Sequence, residues 1–556
     1  MSAAREEIRL QVMWNRLIAV VEEQAQALLR TAFGAVVREA GDLSAGVYDL
    51  DGRMLAQAVT GTPGHVNTMA TAVRHFLDRF PVEEMADGDV LVTNDPWMGT
   101  GHLFDFVVVS PAFKDGRPVA LLASTCHLTD VGGRGFSAEA TSVFEEGVRF
   151  PHMKLRDRGA LRQDILRILE ANSRNPIEAR GDLLSLVSCN DVGCRRLALM
   201  MAEFGLGTID GLAAFILERS RQATIAAIAK LPRGRFEHAM DLDGFDFPVT
   251  LKAAMTVDAD AVTIDYAGSS AASRYGINSP KCYTDAYTIF GLKCIIAPKI
   301  PNNAGSLAPF RVLAEPGSIV HPLDPSPVTA RHVIGQMLPD VAMGCLAAAV
   351  PGIAPAESAG SMWVLAMASA HGRVDPGALE GAGRFNLMNV AIGGVGARPG
   401  KDGISATAFP SGVGVIPIEV TESQSPLVFW RKELACDSGG AGAVRGGLGQ
   451  VFEIGSREGA PFTISAATFD RTRHPARGRD GGRPGAVGSA RLSNGEELLG
   501  KGVHVVPAGA RLIIETPGGG GLGDPRKRDH AALGRDIEAG LVSREGAASH
   551  YRPEVP

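Results

Sequence analysis

The sequence predicts an α+β chain of several domains, with large mixed sheets, a helical segment between them and no regular barrel. Three observations carry this reading. Apolar residues at helical spacing, Ile8, Met13, Leu17, Val20 and Leu28 among them, mark a long helix over 5–33, and a helical pattern returns over 157–230. Runs rich in β-branched residues, separated by turn residues, fill 104–126 and much of 235–320. A glycine-dense, strand-leaning stretch occupies 380–517, and 556 residues exceed what one core holds.

In chain order, the N-terminal unit, 1–156, carries the long helix and then strands and turns. The helical segment 157–230 includes RQDILRILEANSR and GTIDGLAAFILERSRQATIAAIAKL, and Leu231-Pro232-Arg233-Gly234 ends it. A middle α/β unit, 231–379, opens with alternation in MDLDGFDFPVTLKAAMTVDADAVTIDYAGSS and regains helical period near 331–350. The glycine-rich unit spans 380–517, and 518–556 reads as a turn and a polar helical tail.

Composition narrows the function. Hydrophobic residues make up 45% and charged residues 21%, which suits large packed cores. A net charge of −6 without a long basic run argues against nucleic acid as a partner. No apolar stretch reaches the ~18 residues of a membrane span; the run at 342–356 is broken by Pro351 and Pro355. Arg5, Glu6, Glu7 and Arg9 at the start do not fit a secretory leader. The seven cysteines form no paired framework, so Cys189 and Cys194 are expected to be buried thiols in a reducing cytoplasm.

The chemistry concentrates at 93–133, TNDPWMGTGHLFDFVVVSPAFKDGRPVALLASTCHLTDVGG. His102, Asp105 and, one hairpin later, His127 supply two imidazoles and a carboxylate, donors suited to zinc, manganese or iron. Three protein ligands leave coordination positions for water and substrate. The turn Lys114-Asp115-Gly116-Arg117-Pro118 joins two apolar strands. A three-residue loop puts Asp105 opposite His127 on one face; a two-residue loop does so only with a bulge, because strand side chains alternate. With thirteen histidines in the chain, chance spacing competes with metal binding at this stage.

The same segment resembles the B subunit of the hydantoinase/oxoprolinase family, whose run reads like NDP-x-x-GG-THLPD followed by H-x-x-D-x-GG. GDLSAGVYDLDGRMLAQA (41–58), VFEEGVRFPHMKL (143–155), IPNNAGSLAPFRVLAEPGSIVHP (300–322), DSGGAGAVRGGLG (437–449) and TPGGGGLGDP (516–525) are similar to further family blocks, in family order. The resemblance implies metal ligands at His102, Asp105 and His127, with Asp42 as a fourth ligand or a nearby general base. It implies weaker roles for His65 in substrate or proton handling and for Glu146 in acid–base work. The family's Thr-His-Leu-Pro-Asp stands here as Gly101-His102-Leu103-Phe104-Asp105, which changes the pocket wall beside the ligands.

As to function, the resemblance implies a metal-dependent subunit of an ATP-dependent cyclic amidohydrolase, opening a hydantoin, 5-oxoproline or lactam. The metal would be one Zn2+, Mn2+ or Fe2+ ion, with hydroxide at the metal attacking the activated carbonyl. ATP and Mg2+ would sit on a partner, a hydantoinase A-type subunit that phosphorylates the substrate, in a hetero-oligomer. This chain has no G-x-x-x-x-G-K-[ST] loop. Gly518-x-Gly520-x-x-Gly523 runs into Asp524-Pro525-Arg526 where a dinucleotide fingerprint needs a helix, so a tight structural turn is expected. Asp437-Ser438-Gly439-Gly440 resembles a trypsin-type nucleophile loop but lacks its companions; a structural or docking loop is expected, with Cys436 small and buried. Two alternatives stay open: a subunit of an acetone- or acetophenone-type ketone carboxylase, and a non-catalytic scaffold.

Overall fold

The computed structural model describes residues 3–59, 61–360, 362–374, 383–498 and 500–551. Its first sheet is antiparallel throughout, in the order β2-β1-β5-β4-β3-β6-β7. The strands are β1 Leu43–Tyr48, β2 Met54–Gln57, β3 Val90–Thr93, β4 Asp105–Lys114, β5 Arg117–His127, β6 Met153–Asp157 and β7 Ala160–Leu161. Both faces are covered, which explains why β4 and β5 read as unbroken apolar runs. Phe106, Val108 and Leu122 pack with Leu17, Val20, Leu28 and Leu186 of the helices Ala3–Thr31 and Pro176–Phe204. Val107, Val109 and Leu121 face Met69, Val73 and Phe76 of the helix Pro63–Arg79.

The second sheet, β11-β10-β9-β8, uses β8 Gly234–Leu242, β9 Val249–Val257, β10 Val262–Asp265 and β11 Phe310–Leu313. Its β10–β11 pair is parallel and the others antiparallel. The helices Lys281–Ile296 and Leu338–Ala349 share its core through Tyr287, Leu292, Val341 and Leu346.

Two further sheets form a sandwich. One is β13-β12-β16-β18, from β12 Met362–Ser369, β13 Asn386–Ile392, β16 Phe462–Ser465 and β18 Val503–Val506. The other is β14-β15-β19-β17, from β14 Leu427–Leu434, β15 Gln450–Ser456, β17 Ser489–Leu492 and β19 Leu512–Glu515. Trp363, Leu365 and Met367 of β12 point into the core with Phe452, Ile454 and Ile514. Their neighbours Met362, Val364 and Ala366 pack on the first unit instead, as strand alternation requires. The expected 379/380 division lies outside the described residues, and β12 and β13 on either side of it are paired strands.

The glycine-rich segments depart from expectation. Residues 517–521 are not a tight turn but an extended chain threaded between other backbones. Gly518 N donates to Ala486 O (3.0 Å), Gly519 N to Gly447 O (2.9 Å), Gly520 N to Glu357 O (2.8 Å) and Gly521 N to Arg483 O (2.9 Å). A Cβ on Gly518, Gly519, Gly520 or Gly521 would overlap the carbonyl oxygen of Ser438, Val395, Arg477 or Ala441 respectively. Backbones approach this closely only where side chains are absent. Asp437-Ser438-Gly439-Gly440 belongs to the same packing: Gly440 N donates to Gly519 O (2.8 Å) and Ser438 Oγ to Ala435 O (2.6 Å). Cys436, expected buried, is exposed, because it precedes the threaded glycines rather than joining them.

Gly446→Ala places its methyl against the Gly519 carbonyl and should lower stability in urea unfolding by at least about 1–3 kcal/mol. Gly534→Ala, on an open face of the helix His530–Glu538, should be neutral or gain up to about 1 kcal/mol. Equal effects of the two would contradict the packing described.

Candidate metal centre

The β4–β5 hairpin builds the site. Its turn has two residues, Asp115 and Gly116, both at positive φ (51° and 77°), the signature of a type I′ turn. That turn alone would set His127 and Asp105 on opposite faces. A register shift between Ala112 and Phe113 compensates, and Asp105 pairs directly with His127. β5 also pairs with β1, Leu43 against Cys126, so Asp42 lies beside His127, whose N–H donates to Asp42 O (3.2 Å). His102 stands in the irregular segment between β3 and β4. Gly101 precedes it at φ 101°, and a Cβ there would lie 2.6 Å from Arg331 Cδ, so the Thr-to-Gly departure suits both the backbone and the arginine.

Asp105 is the node. Its Oδ1 faces His102 Nε2 at 2.8 Å and His127 Nδ1 at 3.0 Å. Its Oδ2 is held by Arg331 Nη2 (2.6 Å), Thr100 Oγ1 (2.9 Å) and His65 Nε2 (2.9 Å). The Arg331 guanidinium carbon lies over Tyr283, 4.1 Å from the ring centroid. Burial alone would raise the Asp105 pKa, but the positive charge that His65 and Arg331 bring to Oδ2 outweighs it and holds the carboxyl well below its usual range.

The donor set passes a chemical test for a cation. His102 Nδ1 lies 2.9 Å from Thr329 O, and a carbonyl only accepts, so Nδ1 carries the proton. Burial, reinforced by Arg331, pushes the His102 pKa down to about 3, so the ring is neutral and Nε2 presents a lone pair. That lone pair faces a carboxylate oxygen at 2.8 Å, a contact between two acceptors that a cation relieves. Ligand atoms each about 2.0–2.2 Å from a shared ion lie about 3 Å apart, as Asp105 Oδ1 does from each imidazole. One donor atom from each of His102, Asp105 and His127 falls within 4.8 Å of the others, and His127 Nε2 is buried without a partner.

The other expected residues divide. His65, at the start of the helix Pro63–Arg79, sits between two carboxylates, with Nδ1 3.3 Å from Asp42 Oδ1. Burial would lower its pKa, but Asp105 and Asp42 prevail and raise it. Asp42 lines the same cavity, but its ion pair is with His65 and it is not in the three-residue donor group. Glu146 does not line the cavity; it is buried behind it, and burial pushes its carboxyl up to about 7. Phe104, the second departure, stacks on His127 at 5.5 Å with planes 8° apart, and so stiffens a candidate ligand.

Among the lining residues that escape sequence reasoning are Arg331 and His332. His332 Nε2 is buried without a partner, and burial with Arg331 nearby keeps the ring well below its usual pKa. Their one signal in the sequence is an adjacent Arg-His pair inside the apolar stretch SPVTARHVIGQML.

The cavity is small, about 50 Å³, room for an ion and a water or two rather than a ring. Met362, Val364, Met388 and Val390 form its wall on one face of the β12–β13 hairpin. The next residues of those strands, Ala366, Ala368 and Asn386, floor a polar cleft of about 1030 Å³ that also carries Arg134, Arg174, Arg373 and Arg384. Phe136 lines both spaces, its ring 5.9 Å from His127 and 5.7 Å from His332.

Arg331→Met removes the charge paired with the buried Asp105 and should cost about 3–5 kcal/mol in urea unfolding. A loss below about 1 kcal/mol would contradict the network.

Comparison with known proteins places the chain in a family. Residues 6–525 match the family described as hydantoinase B/oxoprolinase. A protein of Pseudomonas sp. (strain NS671), described as the putative B subunit of a D-/L-hydantoinase, is 26% identical, covering 98% of this chain and 94% of its own. 5-Oxoprolinase 1 of Arabidopsis thaliana is 27% identical over 93% of this chain, which spans 42% of that longer protein. The crystal structure of the ATP-dependent caprolactamase from Pseudomonas jessenii superposes with a TM-score of 0.88 at 25% identity, covering 99% of this chain and 96% of that one. A nucleotide-free acetone carboxylase shares the fold, with a TM-score of 0.83 at 18% identity over 99% of this chain and 80% of that one. The chain belongs to the hydantoinase B/oxoprolinase family.

Proposed function

We propose that this chain is the metal-bearing subunit of an ATP-dependent cyclic amide hydrolase, acting on a hydantoin, 5-oxoproline or lactam. The observation that carries the reading is Asp105, with one oxygen turned to two imidazoles and the other pinned by Arg331, Thr100 and His65. His102, Asp105 and His127 would hold one Zn2+, Mn2+ or Fe2+ ion. Such an ion supplies Lewis-acid polarisation of a carbonyl and lowers the pKa of water.

The remaining work falls to the chain. Asp42, open to the cavity, is placed to accept a proton, and His65 orients it at 3.3 Å. The neutral His332 can accept a hydrogen bond from substrate. Phe104 and Phe136 exclude bulk water around the imidazoles, which strengthens every polar interaction there. The arginine-lined cleft suits an anionic substrate, such as one phosphorylated at its carbonyl oxygen. ATP and Mg2+ would act on a separate A-type subunit, consistent with relatives that are themselves described as single subunits of a hydantoinase and a caprolactamase.

The test is metal analysis followed by turnover. The wild-type chain should carry about one transition metal ion, and a His102→Ala, His127→Ala double variant none. Combined with an A-type subunit, the wild type should open caprolactam, 5-oxoproline or hydantoin only when ATP is present. No metal after reconstitution with Zn2+, Mn2+ or Fe2+ would leave a scaffold, and bicarbonate-dependent ketone carboxylation without ring opening would overturn the hydrolase reading.

A further inference from the structure

One buried carboxyl takes no part in the chemistry above, yet it touches the segment that supplies most of the outer contacts of the site. Glu146 is 1% exposed and follows the short helical turn Val143–Glu145. Its Oε1 accepts two consecutive backbone N–H groups, Val328 at 2.7 Å and Thr329 at 2.8 Å. Thr329 then turns its carbonyl to His102 Nδ1 (2.9 Å). Two residues on, Arg331 reaches Asp105 Oδ2 (2.6 Å) and Thr100 O (2.9 Å). The next residue, His332, lines the cavity.

Among the described residues, no other side chain accepts from the backbone N–H of Val328 or Thr329. The loop that carries Glu146 is itself fixed. Val143 N donates to Pro325 O (3.0 Å), and Gly133 and Gly147, at φ 56° and 153°, pack so closely that side chains there would strike Glu146 and Val131. A two-amide clamp therefore fixes the start of the segment 328–332, where Val328 packs in the core of the first sheet and Ala330 in that of the second, beside His102 and Asp105.

We propose that Glu146 is a positioning residue for the metal centre: by clamping the Val328 and Thr329 amides it fixes the Thr329 carbonyl, which holds the His102 proton on Nδ1 and aims Nε2 at the ion. The inference rests on the metal reading above. A hydrogen bond to the far nitrogen of a ligating imidazole sets its tautomer and orientation, and loss of such partners costs about 10–100-fold in metal affinity. The geometry gives Glu146 this role in place of the acid–base role expected from the sequence, since it neither lines the cavity nor approaches a reacting atom.

The test titrates the full-length metal-free chain with Co2+, reading affinity and the visible absorption bands, beside circular dichroism and thermal unfolding. Glu146→Gln keeps an oxygen that accepts both amides and should stay within about threefold of wild type with unchanged bands. Glu146→Ala should weaken binding about 10–100-fold and shift the bands. Should Glu146→Ala not fold, Glu146→Asp, its carboxylate withdrawn by one methylene, should weaken binding and shift the bands in the same direction. A folded Ala or Asp variant with wild-type affinity and spectrum overturns the proposal while leaving the metal centre intact. A wild-type chain that takes up no Co2+ overturns the metal reading and this inference together.

Discussion

A fully buried carboxylate needs compensation, and Asp105 draws it from segments far apart in the sequence. Removing a charge from water costs several kcal/mol unless opposite charge and hydrogen bonds replace the lost solvation. Here the replacement comes from Arg331 beside the second sheet, Thr100 before β4 and His65 on the helix Pro63–Arg79, all three on Oδ2. Four of the five partners come from the N-terminal 156 residues, and Arg331 brings the one permanent positive charge from outside them. The same requirement explains why Oδ2 is consumed by donors while Oδ1 remains turned to two imidazoles.

Rigid backbone around the node keeps that geometry. On one side the seven-stranded sheet is buried on both faces, so β4 and β5 cannot slip register without exposing an apolar row. On the other, β12 and β13 present one face to the sandwich core and the other to the cavity. The glycines of 517–521 hold neighbouring segments together through backbone hydrogen bonds, and Gly520 N on the Glu357 carbonyl ties that packing to the chain just before β12.

Much of this is legible in the sequence, for local reasons. The α+β class follows from period and punctuation, and the family follows from six ordered blocks that span most of the chain. The pairing of Asp105 with His127 is legible because side chains alternate; the choice between a longer loop and a bulge is not, since bulges leave little trace in composition. Arg331 and His332 lie over 200 positions from the hairpin, as their contacts with Asp105 and Phe136 show. Only tertiary packing brings them in. The glycine segments mimic turns because glycine marks both sharp turns and close backbone approach, and the sequence alone does not separate the two. Glu146 stands out for the block around it, but its partners are backbone amides, which carry no residue identity.

The proposed chemistry requires that His102, Asp105 and His127 share one ion. The most direct measurement is an anomalous difference map from crystals of the chain loaded with Zn2+, collected on both sides of the zinc edge. A single strong peak is expected about 2.0–2.2 Å from His102 Nε2, an Asp105 oxygen and a His127 ring nitrogen. A peak elsewhere, or none at this node in zinc-saturated crystals, would contradict it.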